Sequence, residues 1–133
     1  MKRNIILVVC LLIAIGGVIG WRMWNKPHEK VEDQQAIKMT ASELCNEYSK
    51  NEAAANRAYL NKVLEISGNV AAIQKNQDNE VVVTLMGESD ALSVQCTMRD
   101  NAKLPDSGQA AVISGFCSGN TMFDVLLTDC ITK

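Results

Sequence analysis

Histidine, the side chain that most often serves as a catalytic base, is scarce in this sequence and badly placed. His28 is the only histidine, and it lies in a polar stretch ahead of the expected folded region. A serine or cysteine nucleophile would therefore lack a histidine base inside that region, and a histidine-based metal site would lack its ligands. We accordingly expect no enzyme activity, no catalytic or metal-binding residue and no cofactor.

The carboxylates near the C-terminus do not form a catalytic pair either. Asp124 and Asp129 are five residues apart on one expected strand. Because successive side chains of a strand alternate between faces, the two point to opposite sides of the sheet, which does not suit a glycosidase pair. Asp124 is expected instead to brace a hairpin turn.

Polar side chains suited to hydrogen bonding occupy the outward positions of two expected strands. If Val83 and Leu85 face inward, Thr84 faces outward, and the next strand presents three more polar side chains in the same way. These groups could bind a glycan, a peptide or a loop of a protein partner, although an ordinary solvated sheet face has the same pattern. With the two nearest basic residues included, the candidate ligand-binding residues are Lys75, Thr84, Ser93, Gln95, Thr97 and Arg99.

The same strands lack what single-stranded nucleic acid needs. The segments Val81 to Met86 and Ala91 to Met98 contain no Phe, Tyr or Trp, and base stacking on such rings contributes ~1–3 kcal/mol per base. Lys75 and Arg99 alone do not form a basic stripe. From Val31 onward, eight basic side chains face fourteen acidic ones, a net charge of −6 that repels phosphate. A protein or glycan partner is therefore favoured over nucleic acid.

Alternating hydrophobicity after Asn61 predicts the elements that hold these side chains. Apolar and polar residues alternate through five short segments, and turn-forming residues separate them. Five such strands with no protected edge favour closure into a small barrel. Gly115 in the fourth segment indicates a bulge or a close backbone approach. The strands are expected over Leu64 to Val70, Val81 to Met86, Ala91 to Met98, Ala110 to Cys117 and Phe123 to Ile131, with the last two joined by a turn over Ser118 to Thr121.

A helix is expected before the strands. Thr40 and Glu43 match a capping box, in which each side chain accepts a hydrogen bond from the other residue's backbone amide. Apolar residues from Leu44 to Tyr59 recur at a spacing near that of a helical turn and give one buried stripe. Asn51 could instead cap a second short helix.

The N-terminal segment is expected to anchor the protein in a membrane. Lys2 and Arg3 precede an uncharged run from Ile5 to Gly20. Extended to Trp24, it has about twenty residues, which at ~1.5 Å each span the ~30 Å hydrocarbon layer. A cleaved signal peptide is the alternative, but bulky residues follow the run where small ones would be expected. The expected parts are an anchor over residues 1–24, a linker over 25–39 and a domain over 40–133.

Cysteine usage bears on the cellular compartment. Cys96, Cys117 and Cys130 are separated by 21 and 13 residues without any C-x-x-C pair, so a zinc site is not expected. A disulfide framework and three buried reduced thiols both fit this spacing. A disulfide framework would favour a domain outside the cytoplasm. The basic residues on the two sides of the anchor are nearly balanced and do not decide its orientation.

Short features spread over the domain carry one family resemblance. They are Asn51-Glu52 with Ala55 and Tyr59, Lys62 before Ile66-Ser-Gly68-Asn-Val70, Val94-Gln-Cys96, Gly108, Gly115-Phe-Cys117-Ser-Gly119, Asp124-Val-Leu-Leu127 and Cys130. Through them the chain from about Ala41 to Ile131 resembles a family of bacterial OB-fold proteins named for their likeness to tRNA-anticodon-binding domains. The resemblance implies a mainly β fold: a five-stranded OB-type barrel with an N-terminal helix packed on it, here preceded by a transmembrane helix.

The resemblance also bears on function. Many members of that family look like anchored or secreted bacterial products without an established activity, and the family name implies nucleic-acid binding by fold analogy only. In an OB topology the third and fifth strands run parallel, which brings Cys96 and Cys130 to one end of the barrel as a candidate disulfide, although their expected faces do not clearly agree. We expect a binding or assembly module on the periplasmic or other extracytoplasmic side of a bacterial inner membrane. Single-stranded nucleic-acid binding is the alternative.

Overall fold

The computed structural model describes residues 1–24, 31, 34–87 and 92–133. His28 and the expected start of the third strand at Ala91 lie outside these residues. Within them the chain forms three helices and six strands. They are α1 (Lys2–Trp24), β1 (Ile37–Thr40), α2 (Ala41–Lys50), α3 (Glu52–Tyr59), β2 (Val63–Lys75), β3 (Val81–Met86), β4 (Ser93–Met98), β5 (Ala110–Asn120) and β6 (Asp124–Thr132).

Five of the strands close into a barrel. Their order around it is β2, β3, β4, β6, β5, and pairing of β2 with β5 closes the ring. Neighbours are antiparallel except β4 and β6, which pair in parallel. The first half of β2 pairs with β5 and its second half with β3, and a register shift between Val70 and Ala72 bends the strand between them. The prediction of a mainly β, closed five-stranded barrel is confirmed.

Alternation along the strands fills the barrel with apolar side chains. Val83 and Leu85 of β3 are fully buried, as are Val94 and Cys96 of β4. Burying one Val or Leu side chain stabilises the fold by roughly 1.5–3 kcal/mol relative to leaving it exposed. A slip of one residue would expose this whole row, so the burial fixes the register. It thereby also fixes which side chains face outward, among them Thr84.

Helices α2 and α3 cover one end of the barrel. The Cys45 thiol of α2 lies 3.5 Å from the carbonyl oxygen of Leu92, just before β4. The Tyr48 hydroxyl lies 3.2 Å from the Cys117 sulfur of β5. This helix-capped end therefore contains the start of β4 and the turn between β5 and β6, whereas the turn between β2 and β3 lies at the opposite end.

Local sequence explains why two helices form. Thr40 Oγ1 accepts a hydrogen bond from the Glu43 amide at 3.1 Å, and the Glu43 carboxylate accepts one from the Thr40 amide at 2.8 Å. The predicted capping box is therefore confirmed. Asn51 Oδ1 accepts a hydrogen bond from the Ala54 amide at 3.1 Å and begins α3. Of the two alternatives, a second helix capped by Asn51 is the one the structure shows.

A short strand occupies the end of the stretch expected to be linker. β1 pairs in parallel with the first half of β2, from Ile37 opposite Leu64 to Thr40 opposite Ser67. Ile37 and Met39 pack against the hydrophobic core. Residues 37–39 therefore belong to the folded domain in this structure.

The last turn lies further along the chain than expected. β5 continues to Asn120, so the expected turn over Ser118 to Thr121 is displaced to the residues immediately before Asp124. A register shift between Cys117 and Gly119, together with a φ of +112° at Gly119, lets β5 bend and remain paired with β6. The expected position of the turn was wrong for this reason.

Gly115 marks a close approach between β5 and β6, as its position predicts. A β-carbon there would overlap the Cys130 sulfur and lie 3.0 Å from the Thr128 carbonyl oxygen. The register of the two strands also shifts between Ser114 and Phe116. The predicted bulge and the predicted close approach are thus both present, and glycine leaves the space that Cys130 fills.

Helix α1 differs from the rest of the chain in composition. Residues Asn4–Trp24 form a helical stretch of 21 residues with a mean hydropathy of 2.5, and none of it is buried inside the structure. The helix is long and apolar enough to cross a membrane, a property that signal sequences share. Trp21 and Trp24 are exposed at its C-terminal end.

Candidate functional site

The structure brings five of the six candidate binding residues onto one face. Thr84 of β3 lies directly opposite Gln95 of β4. Alternation along β4 puts Ser93, Thr97 and Arg99 in the same outward row as Gln95. All five are half-buried. We call these five residues the polar face.

Lys75, the sixth candidate, lies elsewhere. It is exposed at the last position of β2, opposite Val81 of β3. Val81 belongs to the same row of β3 as the buried Val83, which is the opposite row from Thr84. The structure therefore places Lys75 at the end of the barrel away from the helices and does not bring it together with the polar face.

An acidic residue expected to brace a turn is joined to the polar face. Ser93 Oγ and Gln95 Nε2 both donate hydrogen bonds to the Asp124 carboxylate of β6, the second at 2.7 Å. Ser93 lies opposite Asp124 in the parallel pair of β4 and β6, which explains the contact. The Asp124 backbone does stabilise the hairpin, since its amide donates to Thr121 Oγ1 at 3.1 Å. Its side chain, in contrast, braces β4.

The single arginine of the polar face is held in an ion pair. Arg99 donates from Nε and Nη2 to the two carboxylate oxygens of Asp129, each at 2.7 Å. These hydrogen bonds hold the pKa of Asp129 below its ordinary value. The two side chains are 29% and 41% exposed, so solvent screens the pair and its net stabilisation is small. A ligand phosphate would have to compete with Asp129 for the guanidinium.

The polar face offers a ligand hydrogen bonds beside a carboxylate. Asp124 forms no ion pair within the described residues, whereas the charges of Arg99 and Asp129 compensate each other. Met86, exposed opposite Ser93, adds an apolar contact. The polar face therefore combines hydrogen-bonding groups with a negative charge and one exposed apolar side chain.

A second concavity lies over the pair of strands β2 and β5. It is an open groove of about 1060 Å³. Ser67 and Asn69 of β2 lie opposite Val112 and Ala110 of β5 and contribute to its lining. These side chains are small or of moderate size. We call this concavity the groove.

The charged residues of the groove come from the end of the chain and from the connector before β5. They are Lys103, Asp106 and Lys133. Neither lysine forms an ion pair within the part of the chain that the structure describes. No sequence pattern indicates this groove, because its lining comes from several separate stretches that meet only in the closed barrel.

Four cysteines of the domain are buried as free thiols. Cys96 of β4 and Cys130 of β6 are neighbours in the parallel pair, and their hydrogen bond, together with burial, raises the pKa of Cys130. Burial also raises the pKa of Cys45 to about 11, aided by the charge of Asp124. Cys96 and Cys130 are both fully buried, so their faces agree, and a disulfide between them stays a prediction.

Metal-binding side chains are dispersed. Within residues 1–24, 31, 34–87 and 92–133, no group of three or more His, Cys, Asp or Glu side chains is placed to hold a metal ion. Asp124 and Asp129 both lie beside the polar face, Asp124 engaged by Ser93 and Gln95, and Asp129 by Arg99. The expectation that the two carboxylates point to opposite sides of the sheet was wrong, because the φ of +52° at Asp129 accompanies a register shift that changes the alternation. What the described face provides is hydrogen bonding.

Comparison with known proteins identifies the architecture. A family model described as tRNA_anti-like matches residues 1–131. A search of curated proteins gave no match. Among solved structures, the chain is similar to a lipoprotein of Klebsiella pneumoniae subsp. pneumoniae MGH 78578, with a TM-score of 0.60 and 16% sequence identity. That lipoprotein carries an inferred description as nucleic acid-binding. That match covers 74% of this chain and 92% of the other. At this identity it shows the fold alone.

Proposed function

We propose that this chain, which belongs to the tRNA_anti-like family, is a non-enzymatic binding or assembly module of the bacterial envelope. Its OB-type barrel presents the polar face to a protein or glycan, and α1 holds the barrel at a membrane. We place the barrel on the periplasmic or other extracytoplasmic side of the inner membrane. The family resemblance recognised in the sequence is confirmed by the family match.

The observation that carries this proposal is the contact of Ser93 and Gln95 with Asp124. OB proteins that bind single strands combine a positive groove with stacking rings. Here the corresponding strands β3 and β4 carry neither aromatic rings nor free positive charge, and a carboxylate is fixed beside them. This chemistry supports a ligand that makes hydrogen bonds and carries little negative charge.

Unused hydrogen-bonding groups on the polar face support the same class of ligand. Thr84 and Thr97 are half-buried, and within the described residues their hydroxyls have no side-chain or backbone partner. Their β-branched side chains are stiff, so little side-chain entropy is lost when a ligand binds them. Hydroxyl groups of a glycan, or backbone amides of a protein loop, match these positions.

A crosslinking experiment tests the proposal. A photo-reactive residue replaces Thr84 in the full chain in native membranes, and the matched control replaces Gln77, which is exposed in the turn at the opposite end of the barrel. We expect crosslinks to one protein or glycan species from Thr84 and none of that species from Gln77. Equal crosslinking from both positions, or crosslinks to nucleic acid from Thr84, would contradict the proposal.

The placement of the barrel has its own test. A protease site grafted near Gln34 is exposed to protease in cells whose outer layers are permeabilised and whose inner membrane is intact. Cleavage from outside is the expected result. If the site is protected and is cleaved only after the inner membrane is opened, the barrel lies in the cytoplasm.

Single-stranded nucleic-acid binding is the second candidate, and the groove is the observation that favours it. Lys103 and Lys133 are exposed there, and the similar Klebsiella lipoprotein is named for nucleic-acid binding. Two phosphate contacts predict that the logarithm of the binding constant falls with the logarithm of salt concentration with a slope of about −1.4. The full chain in detergent and its Lys103→Gln, Lys133→Gln variant are titrated with an oligonucleotide. No binding at low salt would end this alternative.

A further inference from the structure

Two large apolar side chains stand exposed at the turn between β5 and β6. Met122 is 86% and Phe123 68% exposed, the highest values among large apolar residues in the described part of the domain. No charged residue lies between Cys117 and Phe123. We call Met122 and Phe123 the hairpin tip. Contiguous exposed apolar surface is typical of sites that contact a protein or a membrane.

The surroundings of the hairpin tip have the composition of a membrane interface. Leu60, just after α3, is also exposed and lies beside the end of β5, where a β-carbon on Gly119 would be 3.7 Å from its Cδ1. Arg57 and Lys62 flank Leu60 in the chain, are exposed, and form no ion pair within the described residues. Apolar residues bordered by basic ones suit the boundary between acyl chains and headgroups.

Strand directions put the hairpin tip and the entry of the chain at the same end of the barrel. β5 runs toward the tip and is antiparallel to β2. β1 is parallel to β2, so β1 runs away from the tip. The chain that leads from α1 therefore enters β1 from the helix-capped end, where the tip lies.

The connection between α1 and the domain is short. β1, the first element of the barrel domain, begins at Ile37, thirteen residues after Trp24. A chain spans at most ~3.3–3.6 Å per residue, which limits this connection to about 45 Å. So short a tether keeps the helix-capped end at a high effective concentration near the membrane.

We propose that the hairpin tip, together with Leu60, inserts into the interfacial layer of the bilayer that holds α1. The inference rests on the proposed anchoring by α1. The barrel then contacts the membrane at two points, and the polar face stands on its side wall, open to a ligand in the aqueous space. A protein surface is the rival occupant, but the basic border, the direction of β1 and the short tether all favour lipid.

The test uses the full chain in phosphatidylcholine vesicles. Cys10→Ser removes the exposed native thiol, and the other four cysteines are buried in the folded protein. An environment-sensitive fluorophore is attached to an introduced cysteine at Met122→Cys. The matched control carries it at Gln77→Cys, in the turn at the opposite end of the barrel. Lipids with a nitroxide on the acyl chain quench a fluorophore that lies in the bilayer.

We expect the nitroxide lipids to quench the probe at position 122 at least twofold more than the probe at position 77. Adding Phe123→Ser should bring the quenching at position 122 close to that of the control. The native fluorescence of Trp21 and Trp24 reports on α1 in the same vesicles. If the tryptophans are quenched but the probe at position 122 is not, the insertion of the hairpin tip is overturned while the anchoring by α1 stands. A tip that binds a protein instead of lipid would give this same result. Unquenched tryptophans would overturn the anchoring itself.

Discussion

The side-chain amide of Gln95 on β4 donates a 2.7 Å hydrogen bond to the carboxylate of Asp124 on β6. The contact crosses the parallel strand pair of the barrel. It fixes a negative charge beside the strands on which OB proteins stack bases. The same contact also ties two strands that are distant in sequence, so it contributes to stability and, under the proposed function, to ligand choice.

Removal of the Asp124 carboxylate tests the structural part of this role. In Asp124→Ala, Ser93 and Gln95 lose their acceptor while they remain half-buried, so we expect the free energy of unfolding to fall by about 1–3 kcal/mol. Asp78→Ala in the exposed turn between β2 and β3 is the control and should change it by less than about 0.5 kcal/mol. Urea unfolding measures both. If both variants lost the same free energy of unfolding, the hydrogen bonds to Asp124 would contribute no more to stability than an exposed turn residue does.

Gly115→Ala tests the close approach between β5 and β6. The added methyl group meets the Cys130 sulfur, and we expect a loss of about 1–3 kcal/mol in the free energy of unfolding from overpacking. Combining it with Cys130→Ala removes the overlapping atom, so the double variant should be more stable than the sum of the single effects. If urea unfolding showed that the losses of the two single variants simply add up in the double variant, the close approach of residue 115 to Cys130 would be contradicted.

The ion pair of Arg99 with Asp129 predicts a pH dependence. A carboxyl group whose pKa is lower in the folded state stabilises the fold above its unfolded-state pKa, ~3.9 for Asp, and this contribution disappears as the pH falls through the folded-state pKa. Arg99→Met should therefore destabilise the protein at neutral pH, and the difference should shrink below about pH 4.

The control for that measurement is a looser ion pair. Lys38 lies 3.8 Å from Glu65 and is mostly exposed, so Lys38→Met should alter stability little at any pH. Thermal unfolding followed from neutral to acidic pH compares the three proteins. If the effect of Arg99→Met stayed constant across that range, Asp129 would not be the group responsible.

The contact of Cys96 with Cys130 predicts the number of free thiols. Disulfide exchange with an oxidised thiol carrier would join the two sulfurs, transfer two hydrogens to the carrier and link β4 to β6. We expect three of the five cysteines to be alkylated in denatured, unreduced protein from an extracytoplasmic location. Cys130→Ser should leave all four remaining thiols free, whereas Cys117→Ser should leave two. Five alkylated cysteines in the unmodified protein would exclude the bridge.

Elements that depend on neighbours in sequence were predictable. β3 has its expected bounds, Val81–Met86, and the capping box of Thr40 forms as its spacing indicates. β1 was not predictable, because four residues become a strand only through pairing with β2, which lies far along the chain. The displaced hairpin turn likewise depends on the pairing of β5 with β6 around Gly119.

The polar face was predictable only in part, because its outward positions follow from local alternation but its contacts depend on pairing between distant strands. Alternation alone places Thr84 and Gln95 outward, but the partner of Gln95 is known only once the register of β4 with β6 is known. The direction of Cys130 depends on Asp129, whose φ of +52° accompanies a register shift and changes the alternation. The groove could not be predicted, because its lining residues come together only in the closed barrel.

The pairing of β1 also determines how the domain responds to tension on the chain before it. That chain joins the barrel wall through the four residues of β1, Ile37 to Thr40. Because β1 runs parallel to β2, a pull along the chain loads their hydrogen bonds in shear. The closed ring of the other five strands carries this load only after β1 detaches. Mechanical strain on the domain is therefore expected to act first at this edge, with the barrel and its polar face left intact.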